Sequence, residues 1–212
     1  MYDQVLFGLT SAMSFIAAVV IIARPAKLGR TERGLWAVSF ALLGVVAAEV
    51  ALSGLGFLSQ PFVNPVASLV PGFLAAGLLW TWKRRIGTYY LPYVIVAFVV
   101  LLGATLVANA PPVLFAVFIH IPSGLVIFLL PLYVVFTRKA AWSGVMVGIG
   151  GLFIGIGGLA LATLTAGVPI LPASVVVDLL APIFFVMTLF FALGILATPS
   201  WRSASAKPTP TP

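Results

Sequence analysis

Long apolar segments alternate with short polar connections along almost the whole chain. Each segment has about 17 to 25 mostly apolar residues, which is the length a helix needs to cross a hydrocarbon core about 30 Å thick. The predicted segments are residues 5–23, 34–58, 66–82, 89–107, 113–136, 141–165 and 173–197. This pattern predicts an all-α fold, a polytopic transmembrane bundle of seven helices.

The basic residues lie on one side of this alternation. All 11 Lys and Arg fall in residues 24–33, 83–85 and 138–139 and in the stretch after Ala197, and the intervening connections carry none. Because basic loops stay in the cytoplasm, the pattern predicts an outside N-terminus and a cytoplasmic C-terminus. We therefore expect a multi-pass protein of the cell (cytoplasmic) membrane.

Composition agrees with a membrane protein and excludes several classes of site. The chain is 62% hydrophobic and only 7% charged, whereas soluble domains have about 25% charged residues. The net charge of +7 therefore serves helix orientation and contact with the headgroups of the lipid bilayer rather than nucleic-acid binding. Without cysteine there is no disulfide, thiolate nucleophile or iron–sulfur ligand set.

The chain divides into a transmembrane domain, residues 1–197, and residues 198–212, whose Pro- and Thr-rich composition predicts a disordered cytoplasmic tail. Trp36 with Pro65 and Trp142 with Pro172 recur at similar spacing, which suggests parallel repeats in a 3+1+3 arrangement. The alternative is that two apolar sequences of similar composition match by chance. Trp36, Trp142, Tyr90 and Tyr93 also lie close to the basic stretches, where interfacial aromatic residues are expected.

Three ionisable side chains fall inside the predicted helices. Glu49, His120 and Asp178 lie at similar predicted depth in the outer half. Each has a hydroxyl one helical turn away on the same face, namely Ser53, Ser123 and Ser174. Since a charge at the bilayer centre costs about 2.5 to 3.5 kcal/mol on insertion scales, such residues normally face the bundle interior. We predict that these six residues form a site for a proton or small polar ligand. The alternative is that they only stabilise contacts between helices.

No catalytic or metal-ligand motif accompanies these residues, so no catalytic or metal site and no enzyme activity is expected. The sixth segment is rich in glycine between Gly144 and Gly158, but it lacks the preceding strand of a nucleotide-binding loop. The pairs Gly144 with Gly148 and Gly151 with Gly155 have the fourfold spacing that lets helices approach closely. Their predicted contacts are neighbouring helices or membrane protein partners.

The topology resembles that of microbial rhodopsins, in which an Asp of the seventh helix is followed four residues later by the retinal-binding Lys. Here the residue four positions after Asp178 is Pro182, and every Lys lies outside the predicted helices. A retinal Schiff base is therefore excluded, and no cofactor is expected. The VPGFLAAGLLWTWKRR stretch, Glu49 and DLLAP are similar to the seven-helix sensor modules of some histidine kinases, which implies a sensing function.

Three functional hypotheses follow. The first is a non-enzymatic receptor or sensor-like module that binds a proton or small polar ligand. The second is a transporter or channel for a small solute, cation or proton. The third is an accessory subunit of a larger membrane complex, of which a respiratory complex is one example.

Overall fold

The computed structural model describes residues 2–24, 29–60, 62–111, 113–137, 141–165 and 167–197. Within these ranges, seven helices are long and apolar enough to cross a membrane. They are α1 Tyr2–Ala23, α2 Arg30–Ser53, α3 Val63–Trp82, α4 Arg84–Ala108, α5 Val113–Phe136, α6 Ser143–Thr165 and α7 Ala173–Ala197. The predicted all-α architecture is confirmed. The predicted tail, 198–212, lies outside the described residues.

Several predicted bounds differ from the structure, most of all the end of α2 and the start of α4. Helix α2 ends at Ser53 rather than at residue 58, because Gly54 adopts a φ of 78°, a left-handed conformation that glycine adopts without steric cost. A 3₁₀ segment, Leu55–Ser59, then leads to α3. Helix α4 begins at Arg84 rather than at residue 89, so its first turn contains basic residues that apolar patterning excluded.

Consecutive helices are antiparallel, and six of them form a ring. Helices α1, α2, α3, α5, α6 and α7 pack in that order, and α7 closes the ring against α1. Helix α4 lies outside the ring against α3 and α5. The most apolar part of α3 is 67% buried and that of α4 only 11%, so α3 belongs to the interior and α4 to the periphery.

The two ends of the bundle differ in charge. The described basic residues are Arg24, Arg30, Arg33, Lys83, Arg84 and Arg85. They lie at one end, which we call the basic end; the opposite end is the Tyr2 end. At the basic end, Arg24 donates a hydrogen bond to the carbonyl of Leu196 and Arg33 donates one to the carbonyl of Arg24. These bonds satisfy carbonyls at the ends of α7 and α1.

The basic half of the ring is filled with tightly packed side chains, which we call the basic-end core. Its largest members are Trp36, Phe40, Leu74, Leu78 and Phe191. Trp36 has 0% exposure, so its predicted interfacial position is wrong: the ring points inward from α2 against Gly77. Trp142, in contrast, is 74% exposed, as expected for an interfacial residue.

The glycines of α6 pack against two neighbouring helices. A methyl group at Gly151 would lie 2.8 Å from the backbone of Phe128 in α5, and one at Gly148 would lie 2.8 Å from Leu132. Close approach is therefore confirmed at these two positions. Gly155 has no neighbouring atom within 4 Å of its Cβ position, and a partner protein for this helix stays a prediction.

Candidate functional site

A cavity of about 300 Å³ lies inside the Tyr2 half of the ring. It is partly open, and its lining residues belong to α2, α3, α5, α6 and α7 and to the 3₁₀ segment. Most of its lining is apolar, for example Leu43, Phe184 and Met187. The polar side chains that line it are Asn64, Ser68 and His120, and no charged side chain of the described residues contributes. Its volume is at the lower end of the range of ligand pockets, about 300 to 1,000 Å³.

Of the six predicted site residues, His120 alone lines this cavity. Ser123 is buried nearby and hydrogen-bonded to Tyr90, with 2.9 Å between the two oxygens. Glu49 is half-buried on α2, and Ser53, Ser174 and Asp178 are exposed. The predicted gathering of the three ionisable side chains is not observed.

The reason is geometric: similar depth along a helix does not fix the face on which a residue lies. Within the described part of the chain, no three His, Cys, Asp or Glu side chains form a group that could hold a metal ion. Binding roles for Glu49 and Asp178 stay predictions, and the structure places neither residue among those that line the cavity.

His120 presents an unpaired polar atom in an apolar region. Its Nε2 is buried and has no hydrogen-bond partner. A methyl group at Gly158 would lie 3.0 Å from this nitrogen, so the imidazole edge faces the bare backbone of α6. Because a buried polar group without a partner is costly, His120 is the strongest candidate for contact with a ligand.

The local backbone around His120 follows from Pro122. Residues Ala116–His120 form a π-helical segment directly before the α-helical part, Ile121–Phe136. Proline has no N–H group, so the carbonyl of Phe118, four residues earlier, loses its helical donor. The hydroxyl of Tyr93 in α4 donates to that carbonyl instead. A side chain of a neighbouring helix therefore replaces the missing backbone hydrogen bond.

Two tyrosines of α4 thus hold α5 on both sides of His120. Tyr93 pairs with Phe118 before it, and Tyr90 pairs with Ser123 after it. These tyrosines lie three residues apart, on one face of α4. We call this pair the tyrosine clamp. It fixes the segment that carries His120 even though α4 itself does not line the cavity.

Sequence reasoning missed four of these residues. Tyr90 and Tyr93 were assigned to the membrane interface, although a proline that removes a donor, facing a tyrosine-rich helix, is a usable signal for the clamp. Asn64 was placed in a connection, and it instead lies in the first turn of α3. Ser68 carried no signal at all; its hydroxyl donates to the carbonyl of Pro65 over 2.6 Å.

Replacing Tyr93 with phenylalanine should destabilise the fold by about 1–3 kcal/mol, because the Phe118 carbonyl loses its donor on a surface that faces lipid rather than water. The measurement is the free energy of unfolding during titration with sodium dodecyl sulfate. Tyr89→Phe, on the same helix and 67% exposed against 40% for Tyr93, is the matched control and should change it by less than about 0.5 kcal/mol. Equal effects of the two substitutions would contradict the clamp.

Comparison with known proteins gives no relatives: no family model, no curated protein and no solved structure matches this chain. The cavity and the residues around it are therefore the basis for a functional assignment.

Proposed function

We propose that this chain is a seven-helix integral membrane protein that acts as a receptor-like binding module, with the cavity as its site. The supporting observation is a partly open, mostly apolar cavity that is lined by His120, whose buried Nε2 has no hydrogen-bond partner. Cavities of this composition bind ligands through apolar contact and use a few polar groups to orient them. The ligand is accordingly a small, mostly apolar molecule rather than the proton or small polar ligand that the sequence predicted.

We further propose that the Tyr2 end faces outside and the basic end faces the cytoplasm. The support is the charge asymmetry, since all described Lys and Arg lie at the basic end. With this orientation the cavity lies in the outer half of the membrane. Its ligand arrives from the external solution or from the outer leaflet.

A topology experiment can use the absence of native cysteine. Gln60→Cys at the Tyr2 end and Lys83→Cys at the basic end both replace exposed residues. A membrane-impermeant maleimide added to intact cells should label the first and leave the second unlabelled until the membrane is permeabilised. The opposite labelling would reverse the orientation and place the cavity on the cytoplasmic side.

Binding is better supported than passage through the bundle. Between the cavity and the basic end, the basic-end core fills the ring, and Phe40, Leu74 and Leu78 are each at most 2% exposed. A transported solute would have to cross this packed apolar layer, which contains no described charged side chain. The observed conformation therefore favours a site closed toward the basic end.

The binding function can be tested with 4-fluorotoluene, a compact apolar probe that fluorine NMR detects. The protein in lipid nanodiscs should give a bound resonance distinct from that of probe dissolved in lipid. Ala67→Leu, which fills the cavity from α3, should abolish this resonance. Ala12→Leu, a matched change at an exposed position of α1, should leave it intact.

The affinity of so small a probe is expected to be about millimolar, because eight non-hydrogen atoms at roughly 0.5 kcal/mol each, near the lower end of the usual range, give about 4 kcal/mol. A bound resonance that persists in Ala67→Leu would refute the cavity as the site. No bound resonance in the wild-type chain at saturating probe in the lipid would refute the binding function.

A further inference from the structure

The charge of the lining restricts what the cavity can accept. The described lining residues include no Asp, Glu, Lys or Arg. An ionised ligand would lose its hydration without gaining a counter-charge, and such desolvation is expensive in an apolar interior. Glu49 and Asp178 lie outside the lining, so they offer no compensation to a cation. A neutral ligand is the chemically consistent occupant.

The polar groups of the lining restrict the ligand further. The imidazole Nε2 of His120 has no partner, and it donates or accepts according to the tautomer. Ser68 already donates its proton to Pro65, so its hydroxyl oxygen is left to accept a hydrogen bond. A ligand hydroxyl both donates and accepts, and it therefore pairs with either tautomer of His120.

The position of His120 makes this contact accessible by a side-chain movement alone. Nε2 faces Gly158, which has no side chain, and Gly158 itself lines the cavity. The χ2 torsion of histidine has broad, shallow minima. A rotation of the ring that turned Nε2 toward the cavity would need no change in the backbone that the tyrosine clamp holds.

Resting on the proposed binding function, we infer that the cavity selects neutral, hydroxyl-bearing apolar molecules, the class of phenols and small alcohols, and that His120 binds their hydroxyl group. The apolar body of such a ligand packs against residues such as Leu43 and Phe184, and its single polar group lies at α5. Carboxylates and amines of the same size bind less well.

A size-matched series of probes tests this inference. The probes are 4-fluorotoluene, 4-fluorophenol, 4-fluorobenzoate and 4-fluorobenzylammonium. The first two differ only by exchange of a methyl group for a hydroxyl of similar size. Each dissociation constant is measured by fluorine NMR in nanodiscs and is expressed relative to the probe concentration in the lipid. The Ala67→Leu variant serves as the blank.

We expect 4-fluorophenol to bind about 3- to 10-fold more tightly than 4-fluorotoluene, the ratio that one net hydrogen bond gives. His120→Leu should reduce this ratio to about one. His120→Gln, which keeps a donor and an acceptor, should retain part of the preference. The wild-type ratio needs no substitution, so the test holds even if one variant fails to fold.

The possible failures are distinguishable. Equal wild-type affinity for 4-fluorotoluene and 4-fluorophenol would overturn the hydroxyl selectivity and leave the binding function intact. Tightest binding of the benzoate or the ammonium probe would overturn the neutrality of the ligand. A preference for 4-fluorophenol that His120→Leu leaves unchanged would remove His120 from the site. No binding of any probe above the Ala67→Leu blank would overturn the proposed function itself.

Discussion

Gly151→Ala is expected to lower the free energy of unfolding by about 1–3 kcal/mol, the usual cost of inserting atoms into a packed interior. The new methyl group would lie 2.8 Å from the backbone nitrogen and Cα of Phe128 and 2.9 Å from the carbonyl carbon of Ile127. Backbone atoms cannot rotate away as a flexible side chain does. Helices α5 and α6 would therefore have to separate, and packing between helices is what holds a membrane bundle together.

The matched control is one helical turn away in the same helix. Gly155→Ala adds the same methyl group at a position with no atom within 4 Å. Alanine is a better helix former than glycine by about 1 kcal/mol, so this substitution should be neutral or stabilising. Both variants are compared by titration with sodium dodecyl sulfate. Equal destabilisation by the two would show that α6 does not pack against α5 through Gly151.

Trp36→Ala is expected to destabilise the protein by about 3 kcal/mol, at the lower end of the cost of truncating a buried aromatic residue in soluble proteins. Trp36 is the largest fully buried side chain among the described residues, with 0% exposure. Its removal leaves a void in the basic-end core between α2 and α3. The value is at the lower end because the unfolded helices stay in lipid. Moving the tryptophan side chain from lipid into the protein interior therefore gains less free energy than moving it there from water.

Trp142→Ala removes the same side chain from an exposed position, 74% accessible, where the ring makes an edge contact with Phe136. It should cost less than about 1 kcal/mol. The unfolding free energies of both variants are measured under identical lipid and detergent conditions. If Trp142→Ala is the more damaging change, Trp36 does not fill the interior as described.

Helix number and bounds were largely predictable because they depend on local properties. The apolar segments at residues 113–136 and 173–197 correspond directly to α5 and α7. Errors occurred where a single backbone conformation decides the bound, as at Gly54, or where basic residues continue a helix beyond its apolar part, as at Arg84. Apolar patterning contains no information on either.

The site was less predictable because it depends on which face of each helix meets the interior. Glu49, His120 and Asp178 have similar predicted depth, yet the structure brings only His120 to the cavity. Uniformly apolar helices lack the polar and apolar faces that indicate orientation in soluble proteins. Trp36 illustrates the same limit, since its closeness to a basic stretch suggested an interfacial ring and its burial shows a core residue.

The glycines of α6 show what sequence spacing can provide. Their fourfold spacing predicted close helix packing, and Gly148 and Gly151 do approach α5. The spacing did not indicate that Gly150 and Gly157 approach Phe191 and Ile183 of α7 on another face. A glycine-rich helix that lies between two neighbours packs against them with two different faces. A search for glycine pairs four residues apart detects only one of these faces.

The decisive measurement is the reactivity of single cysteines with the small neutral reagent methyl methanethiosulfonate, because the natural chain contains no cysteine. Ala67→Cys lies in the cavity lining, and Ala75→Cys lies on the same helix in the fully buried core. We expect the reagent to modify the cysteine at position 67 and 4-fluorophenol to slow that modification. The cysteine at position 75 should stay unmodified. A cysteine at position 67 that is as unreactive as the one at position 75, or that the probe does not protect, would contradict a ligand-binding cavity in this half of the bundle.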